Sequence, residues 1–127
     1  MNQTSTDVRP LVEEWPATLD PGVTRAVRLI QERFAEDLDL DMLAREAGVS
    51  RTVLRDRFVQ VLGDPPMRYC ARWRMRIAAH MLREGRENTA NIAYSVGFNS
   101  EAAFNRAFKR EYGKPPATWR REIELTE

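Results

Sequence analysis

Two stretches of this 127-residue sequence carry side chains that can bond to base edges and phosphates. In the first stretch, Arg51 and Arg55 could each fork onto guanine O6 and N7 or neutralise a phosphate, and Thr52 could pack its methyl group on thymine. Asp56 is the acidic member: it could accept from a cytosine amino group, pair with Arg55 or Arg57, or stay outside the interface. These side chains therefore indicate recognition of a duplex.

The second stretch lies fifty residues further along the chain. Arg106 is the leading candidate for reading a base, Asn105 could bond adenine in bidentate fashion, and Ala102 could meet a thymine methyl group. Lys109 is expected to reach a phosphate. Glu101 could accept from cytosine, but the simpler interpretation is a negative charge that interacts favourably with the positive end of a helix dipole.

Both stretches belong to an internal repeat. Between residues 50–69 and residues 100–119, a serine, large apolar residues, a phenylalanine, a glycine, a Pro-Pro pair and an aromatic residue recur at an offset of 50. Upstream the match continues at an offset of 49, because the second copy has one extra residue in the turn at 97–100. The sequence therefore predicts the same structural unit twice.

Each copy predicts a helix, a tight turn and a second helix. Residues 40–47 and 89–96 carry apolar side chains four apart, as one face of a short helix requires. The glycine after each can take the left-handed conformation that ends a helix, and Ser50 and Ser100 can cap the next helix. An apolar i, i+4, i+8 stripe on each second helix must then face the core. The stripes are Leu54, Phe58 and Leu62 in one copy and Phe104, Phe108 and Tyr112 in the other.

A longer helix is expected to join the two units. Apolar side chains at mostly four-residue spacing predict it over about residues 65–84, and about 18 helical residues make a strut of roughly 27 Å. An opening helix over about residues 23–34 completes the first core. The predicted fold is all-α, with units over about 23–63 and 88–124 inside a domain at 21–124. Residues 1–20 show little periodicity and are interpreted as an N-terminal tail or linker.

The charge distribution separates a basic middle from acidic ends. The net charge is only +1, but residues 51–121 hold 15 Lys and Arg against 6 Asp and Glu, whereas residues 1–50 hold 5 against 10. A basic body suits a polyanionic partner, although a solvated Arg-rich helical surface would give the same count. Charge is therefore compatible with nucleic-acid binding without establishing it.

Other protein classes find little support in the sequence. No apolar run approaches the roughly 20 residues of a membrane helix and no secretory signal opens the chain, so a cytoplasmic location is expected. Cys70, the single cysteine, is expected to be a small buried apolar residue. His80 has no carboxylate or second histidine at catalytic spacing, and no phosphate loop or metal-ligand cluster is present. We therefore expect no enzyme, no cofactor, no metal and no small-molecule effector site.

A family resemblance rests on three runs of residues. They are LAREAGVS at 43–50, the Gly-Asp-Pro-Pro of 63–66 leading into 72–79, and above all GFNSEAAFNRAFKREYGKPP at 97–116. Over about residues 22–121 the chain resembles the DNA-binding domain of AraC/XylS-type regulators. The resemblance implies a seven-helix domain that binds asymmetric promoter sites and activates transcription through contact with RNA polymerase. Residues 19–21 also resemble the linker that follows a cupin sensor domain in one branch of the family, and no such domain is expected within this sequence.

Two recognition helices in one chain predict the shape of the site. Dimeric helix-turn-helix proteins place such helices about 34 Å apart, one DNA turn, by pairing two chains. Here a monomer is expected to insert residues 51–62 and 100–112 into adjacent major grooves of a site of roughly 15 to 20 base pairs with unequal halves. The alternative is a helical co-regulator that keeps the fold but captures a partner protein, which Asp56, Glu101 and the low net charge favour slightly.

Overall fold

The computed structural model describes residues 20–126, and in that part of the chain every regular element is an α-helix. Seven helices follow one another: α1 Pro21–Arg33, α2 Leu40–Ala47, α3 Arg51–Leu62, α4 Pro66–Glu84, α5 Thr89–Ser95, α6 Glu101–Tyr112 and α7 Pro116–Thr126. The predicted all-α fold with two helix-turn-helix units and a long linking helix is confirmed. Residues 1–19 of the predicted tail lie outside the described residues.

The first helix begins earlier than the apolar pattern predicts. Asp20 was assigned to the tail, but its side chain accepts a hydrogen bond from the Val23 amide at 3.1 Å and so caps α1. Pro21 then occupies the first helical position, where its missing amide hydrogen costs nothing. The stretch that resembles a linker is therefore the start of the first helix.

The repeated start and stop signals act as the sequence predicts. Ser50 Oγ accepts from the Val53 amide at 3.2 Å, and Ser100 Oγ accepts from the Ala103 amide at 3.1 Å. Gly48 and Gly97, which follow α2 and α5, have φ of 75° and 99°, values that are unfavourable for residues with a Cβ. Both turns are thus fixed by the same two devices, a left-handed glycine and a serine cap.

One hydrophobic core runs through both units, and α4 is the element they share. This helix of 19 residues, about 28 Å long, contacts α2 and α3 of the first unit and α5, α6 and α7 of the second. Its Trp73 is fully buried, and Cys70 is buried as predicted. Leu62 and Tyr112 are only half-buried, because the apolar stripe leaves the core where each recognition helix ends.

The two halves of the core contain the same aromatic pair. Phe58 packs edge-to-face on Tyr69, with ring centroids 5.7 Å apart and ring planes at 81°. Fifty residues later Phe108 packs edge-to-face on Trp119, at 5.5 Å and 77°. Each pair joins a recognition helix to the helix that follows it, which adds roughly 0.5–1.5 kcal/mol beyond area burial.

Three arginines tie helices to backbone carbonyls with two hydrogen bonds each. All six bonds measure between 2.6 and 3.1 Å. Hydrogen bonds from a charged donor are worth about 1.5–3 kcal/mol each at best and less where water competes. The pairs are Arg25 with Glu46 and Ala47, Arg74 with Phe34 and Glu36, and Arg120 with Leu82 and Glu87.

Candidate nucleic-acid interface

The second helix of each unit presents an exposed face opposite its buried stripe. In α3, Leu54 and Phe58 are fully buried, and the side chains about half a turn away from them are exposed. In α6 the same holds for the side chains opposite Phe104 and Phe108. We call these sets the outer faces. They are Thr52, Asp56, Val59 and Gln60 in α3 and Ala102, Arg106, Lys109 and Arg110 in α6.

The two outer faces match position by position at the offset of 50, but their chemistry is opposite. The α6 face carries three cations. On the α3 face, Asp56 holds the position of Arg106, and Val59, which is 47% exposed, holds the position of Lys109. An exposed acid and an exposed valine contribute no attraction to phosphate, so of the two outer faces the one on α6 has the stronger electrostatic attraction to a polyanion.

Two predicted contact residues also have partners within the protein, next to the turns. Arg51 Nε lies 3.4 Å from Asp41 Oδ1, which connects the start of α3 to the first turn of α2. At the corresponding place in the second unit, Glu101 accepts a hydrogen bond from Thr89 Oγ1 at 2.6 Å. Glu101 therefore links α6 to the start of α5. This role differs from both predicted ones, a favourable interaction with the helix dipole and a contact with cytosine.

The remaining candidates occupy the edges of the outer faces. Arg55 in α3 is exposed, and its helical position places it between the buried stripe and Asp56. Asn105 has the corresponding position in α6 and is half-buried. Thr52 and Ala102 lie near the N-terminal ends of the outer faces, where base edges come within reach of an inserted helix.

Sequence reasoning missed three members of the outer faces, namely Val59, Gln60 and Arg110. The repeat indicates Val59, because Val59 is the counterpart of Lys109 and both follow the preceding outer-face residue by three. A preference for charged side chains leaves Val59 out of the prediction, but it does not account for Arg110. An exposed valine on a recognition helix can pack on a thymine methyl group.

The side chains outside these faces offer no catalytic arrangement in the described part of the chain. The prediction that His80 has no carboxylate at catalytic spacing is wrong, because Glu84 Oε2 lies one helical turn away, 3.5 Å from His80 Nε2. An i, i+4 pair of this kind is common on helices and makes no site by itself. Burial raises the pKa of the Cys70 thiol, which disfavours a reactive thiolate.

No group of three or more His, Cys, Asp or Glu side chains among residues 20–126 could hold a metal ion. None of the helices there combines the length and the apolar character that crossing a bilayer requires.

Comparison with known proteins decides the family. A family model described as a helix-turn-helix domain matches residues 43–122. The chain is 42% identical over 111 residues to a putative AraC-like transcription regulator of Streptomyces lividans, covering 87% of this chain and 36% of that protein. It is similar to the C-terminal domain of AraT, a response regulator from Geobacillus stearothermophilus, with 33% identity, a TM-score of 0.77 and coverage of 84% and 88%. The chain belongs to the AraC/XylS-type helix-turn-helix family.

Membership in the AraC/XylS family makes this chain a DNA-binding transcription-regulator domain and not an enzyme. The chain spans about a third of the length of the curated relatives that it matches first. A further similar structure is the DNA-binding domain of AdpA in complex with a target DNA, with 27% identity, a TM-score of 0.77 and coverage of 85% of this chain and 96% of that one. The family prediction is confirmed.

Proposed function

We propose that this AraC-type chain binds double-stranded DNA sequence-specifically by inserting α3 and α6 into adjacent major grooves. The observation that carries the proposal is the pair of exposed outer faces, each on the second helix of a helix-turn-helix unit and both in one chain. The similarity to the AdpA domain, whose structure contains a target DNA, supports it. The biological role that we propose is transcription activation with RNA polymerase as protein partner, as the family resemblance implies.

The proposed contacts fall into two groups: contacts with bases, which provide selectivity, and contacts with phosphates, which provide affinity. Arg106 reads a guanine, Asn105 an adenine and Ala102 a thymine methyl group, while Lys109 and Arg110 neutralise phosphates. On α3, Thr52 and Val59 pack on thymine methyl groups, Arg55 contacts guanine or phosphate, and Asp56 accepts from a cytosine amino group. Arg51 and Glu101 hold the ends of their helices in place. The two half-sites should therefore differ in sequence.

Selection of duplexes from a random pool, with the purified chain at fixed salt, tests the proposal as a whole. The expected consensus is asymmetric, covers roughly 15 to 20 base pairs and contains two conserved blocks about one helical turn apart. A palindromic consensus, or a single block, would contradict the use of both helices by one chain. Absence of any enrichment together with a salt-independent pull-down of a protein would favour the co-regulator alternative.

Lys109→Ala is expected to weaken binding to all duplexes about equally. Loss of one phosphate contact should reduce the slope of log K against log salt by about one. The measurement is a salt titration of affinity on the selected site and on an unrelated duplex. Lys114→Ala is the matched control, because Lys114 pairs with Glu122 outside the outer face and its loss should leave the slope nearly unchanged. A change in base preference in Lys109→Ala would place Lys109 on a base instead.

Asp56→Asn is expected to separate the attraction of α3 for DNA from its selectivity. The neutral amide removes repulsion from phosphates, so binding to unrelated duplexes should tighten roughly twofold to fivefold. An amide no longer matches a cytosine amino group as well as a carboxylate, so selection with the variant should lose cytosine at one position of the first block. Glu46→Gln, an equal charge change at an exposed α2 position, is the control. An unchanged consensus would show that Asp56 reads no base.

A further inference from the structure

A direct contact between the two units lies beside α4. The turn at Gly97, in the second unit, lies against Ala35, in the loop that follows α1 of the first unit. A Cβ added at Gly97 would sit 2.7 Å from the Ala35 carbonyl oxygen and 3.1 Å from its Cα. A Cβ at Gly97 would force the Ala35 loop or the Gly97 turn to shift. The two units are therefore in close backbone contact at this place.

Arg74 holds the same loop from α4. Its Nε donates to the Phe34 carbonyl oxygen at 2.7 Å, and its Nη2 donates to the Glu36 carbonyl oxygen at 2.8 Å. These carbonyls stand on either side of Ala35 in the chain, so the planar guanidinium grips the loop across the residue that meets Gly97. The linking helix, the first-unit loop and the second-unit turn are thereby joined. We call this arrangement the junction clamp.

Apart from this contact, the packing between the two units runs mainly through α4. Among the described helices, α1, α2 and α3 make no extensive contact with α5, α6 or α7, and both sets pack instead on α4. Beside the clamp, a cleft of about 380 Å³ opens between first-unit residues Asp37 and Leu38 and second-unit residues Phe98 and Ala107. Both units pack on α4, but beside the clamp a cleft and not a broad apolar interface lies between them. The clamp is therefore a direct link that supplements their packing on α4.

We propose that Arg74 is a positioning residue that sets the spacing between the two half-sites that the chain accepts. The inference rests on the proposed insertion of α3 and α6 into one duplex. Each extra base pair moves a half-site by about 3.4 Å and rotates it by roughly 35°. A clamped pair of units cannot follow such a change without straining the protein or the DNA, so the intact chain should accept one spacing only.

The first test needs no DNA. Spin labels are attached at Arg45→Cys in α2 and Arg121→Cys in α7, both exposed, while the native Cys70 is buried. Pulsed dipolar spectroscopy then gives the distribution of distances between the units. We expect a narrow distribution for the otherwise unchanged chain and one at least twice as broad for Arg74→Ala. Arg25→Ala removes a comparable two-bond arginine contact within the first unit alone and should leave the width unchanged.

The second test measures affinity on the selected site with zero, one or two base pairs inserted or removed between the half-sites. The unchanged chain should lose at least tenfold in affinity per inserted base pair, whereas Arg74→Ala should lose threefold or less and keep the same base preferences within each half-site. Arg74→Lys, which retains the charge but not the planar fork, should fall between them. Circular dichroism confirms that each variant is folded.

The outcomes separate this proposal from the proposed function. Equal widths and equal spacing penalties for Arg74→Ala and Arg25→Ala overturn the positioning role, even if both bind DNA. A broadened distribution in a chain that selects no duplex supports the clamp and refutes the proposed function. A general loss of affinity with an unchanged spacing penalty identifies Arg74 as a stabilising residue only and also overturns the proposal.

Discussion

Gly97→Ala is expected to lower the free energy of unfolding by about 3 kcal/mol. The backbone there has φ of 99°, which costs an L-residue about 1–2 kcal/mol, and the new methyl group would overlap the Ala35 backbone, which costs about 1–3 kcal/mol more. Urea unfolding followed by circular dichroism measures the difference. The effect is large because the overlapping atom is the Ala35 backbone oxygen, which cannot rotate away as a side chain can, and the residues on either side of it are bonded by Arg74.

Gly113→Ala separates the two causes. Gly113 also has a positive φ, 84°, but a Cβ added there meets no atom within 4 Å. Its substitution should cost only the conformational term, about 1–2 kcal/mol. If both variants lose the same stability, the contact between the units contributes nothing and Gly97 is needed only for its backbone conformation.

Arg106→Ala is expected to weaken binding to the selected site by roughly 1–3 kcal/mol, or about 5-fold to 150-fold. Arg106 is exposed at the centre of the α6 outer face, opposite the fully buried Phe104 and Phe108. Loss of the forked guanidinium should also relax the base preference at one position of the second block and leave the first block unchanged. Repeated selection with the variant measures both effects.

Arg106→Lys is the informative companion. Lysine keeps the charge but cannot donate in parallel to guanine O6 and N7, so affinity for unrelated duplexes should stay near that of the unchanged chain while discrimination is lost. If Arg106→Lys retains full discrimination, Arg106 acts through phosphate, and the assignment of base reading moves to Asn105 or Arg110.

Local signals in the sequence predicted the helices and their ends well. The repeat at an offset of 50 placed α3 and α6, because glycine, serine and proline act within a few residues of where they stand. The extra residue in the second turn was visible as well. The contact of Gly97 with Ala35 was not visible, since 62 positions separate the two residues and no periodicity indicates which loop will lie against which turn.

The candidate site was predicted in outline and missed in detail. Core spacing correctly located the exposed faces, yet attention to charged types passed over Val59 and overlooked that Glu101 would be held by Thr89. The two-bond contact of Arg74 with a loop forty residues away also left no pattern in the sequence. Side-chain to backbone bonds of this kind depend on tertiary position, because any arginine is able to make them.

The recurrence of one edge-to-face ring pair in both halves has a consequence for how such a domain can diverge. The two pairs, Phe58 with Tyr69 and Phe108 with Trp119, lie on the inward side of each recognition helix, so packing constrains the residue types on that side only. Substitutions on the outward side then alter what is read without a penalty in folding. After an ancestral duplication, one copy could accumulate cations and the other an acid and a valine. Exchanging outer-face residues between α3 and α6 should likewise recode the target while the scaffold stays as it is.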